Sequence, residues 1–271
     1  MSGLRRCRGK PMLSSDPWDA LVRELDAWGA VGQVATFWWR DDDATVPTPA
    51  LDMIIDRAER FGVPLCLAVI PAAADARLAA RLAEPTLVCV AQHGYAHRNW
   101  AAPGAKKIEL GSERAIADMV AELAAGRDGL AALFGKLSRP ILVPPWNRIA
   151  GTLLAHLPGL GFVGLSSHGA TALPGLPERL RQANTHADPV DWHGTRGFAG
   201  EAAALSPILA HLQARRLGDA DPIAPTGLLT HHTVEDVAGA RFAEQLLSTT
   251  VNHPAARWLN AEAIFECGPD A

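Results

Sequence analysis

Short apolar runs alternate with helical patterns along this chain, and that alternation constrains the fold more than any other feature. Residues 34–39, 64–70, 86–91, 141–143, 161–165 and 227–230 are short, apolar and rich in β-branched or aromatic side chains. Runs of this kind read as strands buried on both faces. Helical patterns with start signals lie between them. Ser15-Asp16-Pro17 opens one over 18–28. Thr48-Pro49 opens another over 50–61, with Thr as N-cap and Pro at the first helical position. Ser112 precedes a long helix in which Ile116, Met119, Val120, Leu123, Leu130, Leu133 and Phe134 recur at helical spacing. Ser206-Pro207 introduces a further helix to about residue 217, and residues 236–247 supply the last. This order predicts an α/β fold with a mostly parallel sheet. No linker divides the chain, so residues 15–271 are expected to form one barrel-like domain after a loose leader at 1–14.

Composition narrows the partners. The chain carries a formal net charge of −4, so it has no broad basic field for nucleic acid. Its four cysteines are scattered and include no CxxC pair, which excludes a disulfide scaffold and a cysteine zinc knuckle. Cys66 and Cys89 sit inside apolar runs and read as small buried side chains. The N-terminus has arginines but no following apolar stretch of a signal peptide, and no run is long enough to span a membrane. The expected location is cytoplasmic, with reduced thiols.

Active sites of parallel barrels gather at the C-terminal ends of the strands, and polar clusters follow the apolar runs here. The first run ends in Arg40-Asp41-Asp42-Asp43. Adjacent carboxylates repel, and a core would hold them only with a cation or hydrogen bonds. Alone, they read as a solvated loop start. The third run ends in His93-Gly-Tyr-Ala-His97, two imidazoles that a helical turn would place on one face for a metal. One aspartate and two histidines make a three-ligand set with positions left for water and substrate. Pro144-Pro145-Trp146-Asn147-Arg148 follows the fourth run, Asp188-Pro-Val-Asp191-Trp192 follows a candidate strand over 180–185, and His231-His232 follows the last. Singly, each has a plain reading as a turn or a cap. Five such clusters at five successive strand ends are hard to assign to chance.

In that order, the clusters resemble the five motifs of the polysaccharide deacetylase superfamily, the NodB-homology group that includes carbohydrate esterase family 4. Arg40–Ala44 resembles its Thr-Phe-Asp-Asp-Gly, His93–His97 its His-Ser/Thr-x-x-His, and Val143–Asn147 its Arg-Pro-Pro-Tyr-Gly. Asp188–Trp192 resembles its Asp-x-x-Asp-Trp, and Leu228–His231 its Leu-x-Leu-His. The resemblance spans about residues 34 to 232 and implies a single distorted (β/α)7 TIM-like barrel. It also implies a divalent metal, most often Zn²⁺, held by Asp43, His93 and His97. Asp42 would then be the general base, and His231 or its neighbour His232 the general acid. The triple aspartate leaves a second register open, with Asp41 and Asp42 as the pair. Asp42/Asp43 is preferred because Ala44 then takes the family's glycine place.

Val143 stands where the family has an arginine that hydrogen-bonds the base and the fourth-motif aspartate. Arg40 shares a strand face with Asp42, two residues on. It is expected to replace that arginine by pairing with Asp42 and Asp188, with Arg148 as the second choice. Trp100, Pro145, Trp146, Asn147, Asp191 and Trp192 are the candidates to line a substrate pocket, the indoles by stacking on a sugar ring.

The expected activity is metal-dependent hydrolysis of a carbon–nitrogen amide bond in an N-acylated sugar or related small amide, releasing acetate or formate. The alternative is a barrel that binds a carbohydrate or metabolite without turnover, favoured by the missing arginine. An unrelated eight-stranded metal hydrolase would begin with an HxH motif on its first strand, and none is present there.

Overall fold

The structure is a computed structural model that describes residues 16–84 and 87–265. The expected leader at 1–14, Cys7, Cys267 and Thr86 at the head of the third expected strand lie outside the described residues. In chain order the elements are α1 (Pro17–Ala30), β1 (Ala35–Ala44), α2 (Pro49–Phe61), β2 (Leu65–Val69), α3 (Ala76–Arg81), β3 (Val88–His93), α4 (Ile116–Phe134) and β4 (Ser138–Val143). After them come α5 (Gly151–Leu154), β5 (Gly164–Leu165), β6 (Arg181–Gln182), α6 (Glu201–Leu217), β7 (Thr226–Thr230), α7 (Val237–Val251), β8 (Ala256–Trp258) and α8 (Ala261–Phe265).

The strands run in the order β6-β5-β4-β3-β2-β1-β7, every pairing is parallel, and short β8 pairs with the start of β1. No named strand links β6 to β7. The chain at 186–187 closes the barrel instead: His186 N–H donates to Gly227 O (2.7 Å), and Leu229 N–H donates to Ala187 O (2.8 Å).

Local chemistry explains the elements. Thr48 Oγ1 accepts from Leu51 N–H (3.1 Å), and Gly62 ends α2 in the left-handed region at φ 66°. Between these caps Leu51, Ile54, Ile55 and Ala58 are buried, one stripe at helical spacing. Each large aliphatic side chain so buried contributes about 1.5–3 kcal/mol. β1 alternates. Phe37 and Trp39 pack outward into the main core under the helices, while Trp38 joins Cys66, Ala68, Ala91, Ile141 and Val143 inside the barrel.

Four local expectations need correction. β1 does not stop at Trp39 but runs on through the aspartates to Ala44, because Arg40 and the hydrogen bonds of β7 satisfy the carboxylates there. The long helix starts at Ile116, not near Ser112, and its N-cap Ala115 makes no side-chain cap. α6 starts at Glu201, so Pro207 lies inside it. The alanine-rich first turn has enough helix propensity to begin before the proline. The strand expected over 180–185 is only the two residues of β6.

On the outer flank, residues 169–186 and α6 enclose a groove of about 640 Å³ that His186 and His211 line. The two buried rings stack with centroids 3.4 Å apart. Burial, then the neighbouring His211, His168 and Arg215, pulls His186 from 6.5 down to about 2. Burial and Arg215 pull His211 down to about 4, against the opposing charge of Asp221. Both rings are therefore neutral in the fold, while the unfolded chain takes up their protons below about pH 6.5. Stability is full above that pH. It falls as pH drops toward 4 and below, by up to about 1.4 kcal/mol per pH unit for each ring. Chemical denaturation between pH 7 and 4.5 is expected to show this loss, and His211→Asn to reduce its slope. An unchanged slope in the variant would show that other groups carry the acid sensitivity.

Candidate metal centre and active site

All the chemistry gathers at the C-terminal ends of the strands, and a β-bulge sets it up. β1 pairs Asp41 with Leu67 and then Ala44 with Val69, so β1 spends one residue more than β2 between the two pairs. Such an insertion re-aims a side chain. Asp43 takes φ 71°, and the three consecutive carboxylates acquire three different partners.

Asp41 is fully buried and turns to β7. Its Oδ2 accepts from Thr230 Oγ1 (2.7 Å) and from His232 N–H (3.0 Å), and its Oδ1 lies 2.5 Å from His232 Nδ1. Asp42 faces the barrel interior, where Arg40 grips both its oxygens at 2.8 and 3.0 Å. The same guanidinium donates to Ser166 Oγ (2.6 Å), Ser167 O (3.2 Å) and Asn147 Oδ1 (2.7 Å). Arg40 thus meets Asp42 as expected, but Asp188 is not among its partners. The serines after β5 and Asn147 take the donors that Asp188 was expected to receive. Arg148 is not a substitute, since its Nη1 donates outward to Lys107 O (2.8 Å).

Asp43 meets the two histidines. Its Oδ1 lies 3.2 Å from His93 Nε2 and 3.3 Å from His97 Nε2, and these three residues form a group whose ligand atoms lie within 4.8 Å of one another. Among the described residues no other cluster of this kind occurs. The imidazoles do not share a helical turn. His93 ends β3, and the chain then bends through Gly94 (φ 56°) to reach His97 at φ 53°. Gly94 has no room for a side chain, because a Cβ there would run into Glu109 and Pro145.

The donor chemistry fits a cation. His93 Nδ1 lies 3.0 Å from the Val143 carbonyl, so that nitrogen carries the hydrogen and Nε2 is left with a lone pair. Asp43 Oδ1 is buried with no hydrogen-bond partner. Two acceptors thus face each other, and a proton or a bound cation between them reconciles them. The surrounding carboxylates favour positive charge there. Burial opposes charge on His93, yet the Asp42 and Asp43 carboxylates overcome it and hold the ring above its ordinary value. Burial pushes Asp43 up, but the closely approaching His93 imidazole, then His97 and His231, carry it well below the usual carboxylate range. Burial and His93 keep His97 below its ordinary value, so it stays neutral and able to ligate.

His231 and His232 part company. His231 lies beside the site. Its Nδ1 is 3.7 Å from Asp188 Oδ2 with no hydrogen-bond partner, and the Trp192 ring meets it edge-on at 4.8 Å. Trp192 Nε1 donates to the same Asp188 oxygen (2.6 Å), so Trp192 and Asp188 together frame His231. His232 is committed to Asp41, which raises its pKa although burial opposes this.

The candidate pocket residues divide. Trp146 lies 4.3 Å from the His97 ring and, with Asn147, holds consecutive left-handed residues at φ 54° and 57°. Pro145 is buried against the His93 loop. Trp100 is 39% exposed and lies between the Arg98 and Arg114 guanidiniums at 4.2 and 4.6 Å. Asp191 does not reach into the pocket, because its carboxylate accepts from Gly194 N–H (2.9 Å) and Thr195 N–H (3.1 Å) and holds its own turn.

Sequence reasoning missed Glu109. Its buried carboxylate accepts from the backbone N–H groups of Tyr95 (3.0 Å), Ala96 (2.9 Å) and Arg98 (3.2 Å), clamping the loop that carries His97. No motif flags a lone glutamate 12 residues beyond His97 in the sequence. A glutamine offers one acceptor oxygen for three donors. Glu109→Gln is expected to weaken metal affinity roughly 10- to 100-fold, as loss of a ligand-orienting partner does. Competition with a chromophoric chelator measures this, and an unchanged affinity would leave Glu109 a purely structural residue.

The sequence matches no protein-family model and no curated protein. Solved structures do match. A Mycobacterium smegmatis protein assigned as a polysaccharide deacetylase superposes with a TM-score of 0.61 at 16% identity, covering 86% of this chain and 88% of its own. The Bc1960 peptidoglycan N-acetylglucosamine deacetylase gives 0.53 at 14% identity, covering 89% and 97%. The chitin deacetylase of Colletotrichum lindemuthianum gives 0.51 at 15% identity, covering 88% and 90%. Together with the barrel described above, these matches show that the chain has the polysaccharide deacetylase fold.

Proposed function

We propose that this protein is a metal-dependent amide hydrolase that removes an acetyl or formyl group from the nitrogen of an N-acylated sugar or a related small amide. The observation that carries the reading is the convergence of Asp43, His93 and His97 around one buried, unpartnered carboxylate oxygen. Two imidazoles and one carboxylate suit Zn²⁺ with open positions. When bound, such an ion polarises an amide carbonyl and acidifies water.

The chain's own groups divide the remaining work. Asp42 is the base that takes the proton from water, and Arg40 keeps that carboxylate ionised and aimed. His231 is the acid that protonates the departing amine, turned by Asp188 as an orienting carboxylate. Trp146 stands beside His97 and Trp192 beside His231, and both indoles are placed to offer a flat face to a sugar ring. His232 with Asp41 ties β1 to β7 and takes no part in proton transfer.

Arg40 removes the main support for a binding-only barrel, since a buried arginine holds the base despite Val143. A cytoplasmic site of action is proposed. No helix among the described residues is long and apolar enough to cross a membrane.

The test is to strip the protein of metal, reload it with zinc, and assay acetate and formate release from a panel of N-acylated amino sugars. Release by the reloaded protein alone supports the reading. Tight sugar binding with no release from a fully loaded site would replace it with the binding-only alternative.

A further inference from the structure

The rim beside His97 carries a group of positive charges. Asn99 Oδ1 accepts from Ala101 N–H (3.0 Å) and Ile108 N–H (3.1 Å), and Trp100 N–H donates to Ile108 O (2.9 Å). These bonds fold residues 99–108 back on themselves, so that Lys106 and Lys107 lead into Ile108, whose backbone is bonded to Asn99 and Trp100, the residues after Arg98. Arg148, from the loop after β4, is tied to this return by its bond to Lys107 O (2.8 Å). The cluster is close to the chemistry. Lys107 Nζ stands 5.9 Å from the Trp146 ring, whose centre is 4.3 Å from that of His97.

Among the described residues, none of Arg98, Lys106, Lys107 and Arg148 has a carboxylate within ion-pair distance. The nearest acid in the sequence, Glu109, is buried and committed to backbone amides. Arg98, Lys106 and Lys107 are exposed. What sets these four apart is their placement, on one short stretch and the loop tied to it, on the side of the site that holds Trp146. Arginine forks and lysine ammoniums together suit a multivalent oxyanion, and a concentrated field of one sign draws its ligand in.

We propose that the substrate carries an anionic group, phosphate or carboxylate, apart from its acylated nitrogen, and that Arg98, Lys106, Lys107 and Arg148 receive it while Trp146 covers the intervening ring. This deepens the hydrolase reading and rests on it for the identity of the reacting bond.

Two experiments separate this inference from that reading. The first compares turnover of N-acetylglucosamine, N-acetylglucosamine 1-phosphate and an N-acetylated amino uronic acid by the zinc-loaded protein. One or both charged sugars are expected to show kcat/KM at least roughly tenfold higher at low salt, with the advantage fading as ionic strength rises. Preference for the phosphate or for the carboxylate identifies the anion. Equal turnover of all three would overturn the inference and leave the hydrolase reading intact.

The second needs no turnover. Binding of inorganic pyrophosphate to the zinc-loaded protein is followed by tryptophan fluorescence and calorimetry. The Arg98→Glu/Lys107→Glu double variant is expected to weaken it at least roughly tenfold, and Asp43→Asn to leave it largely intact. If Asp43→Asn abolishes binding and the double variant keeps it, the anion sits on the metal and the rim site is refuted. If pyrophosphate binds the rim but no amide is cleaved, the hydrolase reading fails and the anion site stands.

Discussion

Asp43→Asn is expected to fold normally yet lose its bound divalent ion and lower turnover by roughly a thousandfold or more. The size follows from the chemistry withdrawn. A metal at a reacting carbonyl contributes several kcal/mol, and each 1.36 kcal/mol is tenfold in rate. Asparagine is the informative replacement because Asp43 sits in the left-handed region at φ 71°, which asparagine tolerates well. Alanine would add backbone strain and blur the result. The metal-free variant should unfold at a somewhat lower temperature than the metal-free parent, since it loses the charge that His93 and His97 attract. Metal content after dialysis, thermal unfolding with and without zinc, and amide hydrolysis together read the outcome. A variant that retained zinc at parental affinity would remove Asp43 from the ligand set.

Arg40→Ala is the second large effect, and it acts on stability as well as chemistry. Arg40 is wholly buried and carries five hydrogen bonds, two of them to Asp42. Removing it leaves a buried carboxylate unpaired, which costs about 3–5 kcal/mol. For a chain of ordinary marginal stability that is a large share of the total. Arg40→Lys offers a point charge in place of a fork and cannot serve Asp42, Asn147 and Ser166 at once. It is expected to fold better than the alanine variant and to remain poorly active. The double variant Arg40→Met/Asp42→Leu exchanges the ion pair for apolar volume, and such exchanges are often neutral for stability. It should regain the fold without regaining turnover, separating the two roles. Full turnover by Arg40→Ala would show that the base needs no partner, and the account of Val143 would fall with it.

Much of this arrangement was legible from residues alone. Apolar runs and helix caps placed the strand–helix order because burial and capping are local. The approach of Asp43 to His93 and His97 followed from motif order, since parallel barrels bring successive strand ends to one rim. The Arg40–Asp42 pair was readable from strand alternation. What escaped depends on backbone conformation or distant partners. No propensity assigns left-handed dihedrals to His97, Trp146 and Asn147, and tertiary bonds impose them. The separate fates of the three aspartates rest on a bulge that only pairing with β2 reveals. The choice between His231 and His232 rests on which of Asp188 and Asp41 each meets. Glu109 and Ser166 serve partners 11 to 14 and 126 residues away, beyond any local pattern.

The closure at residues 186–187 has a kinetic meaning. Elsewhere the barrel wall is knitted by named strands, but here it is joined by a few backbone bonds to Gly227, Leu228 and Leu229. Asp188 stands on one lip of that seam and His231 on the other, 3.7 Å apart. The proposed proton donor therefore takes its aim across a seam that only a few backbone bonds hold. If the seam loosens first on warming, the proposed acid is misdirected and leaving-group expulsion should fail at temperatures where the proposed metal ligands on β1 and β3 are still in place.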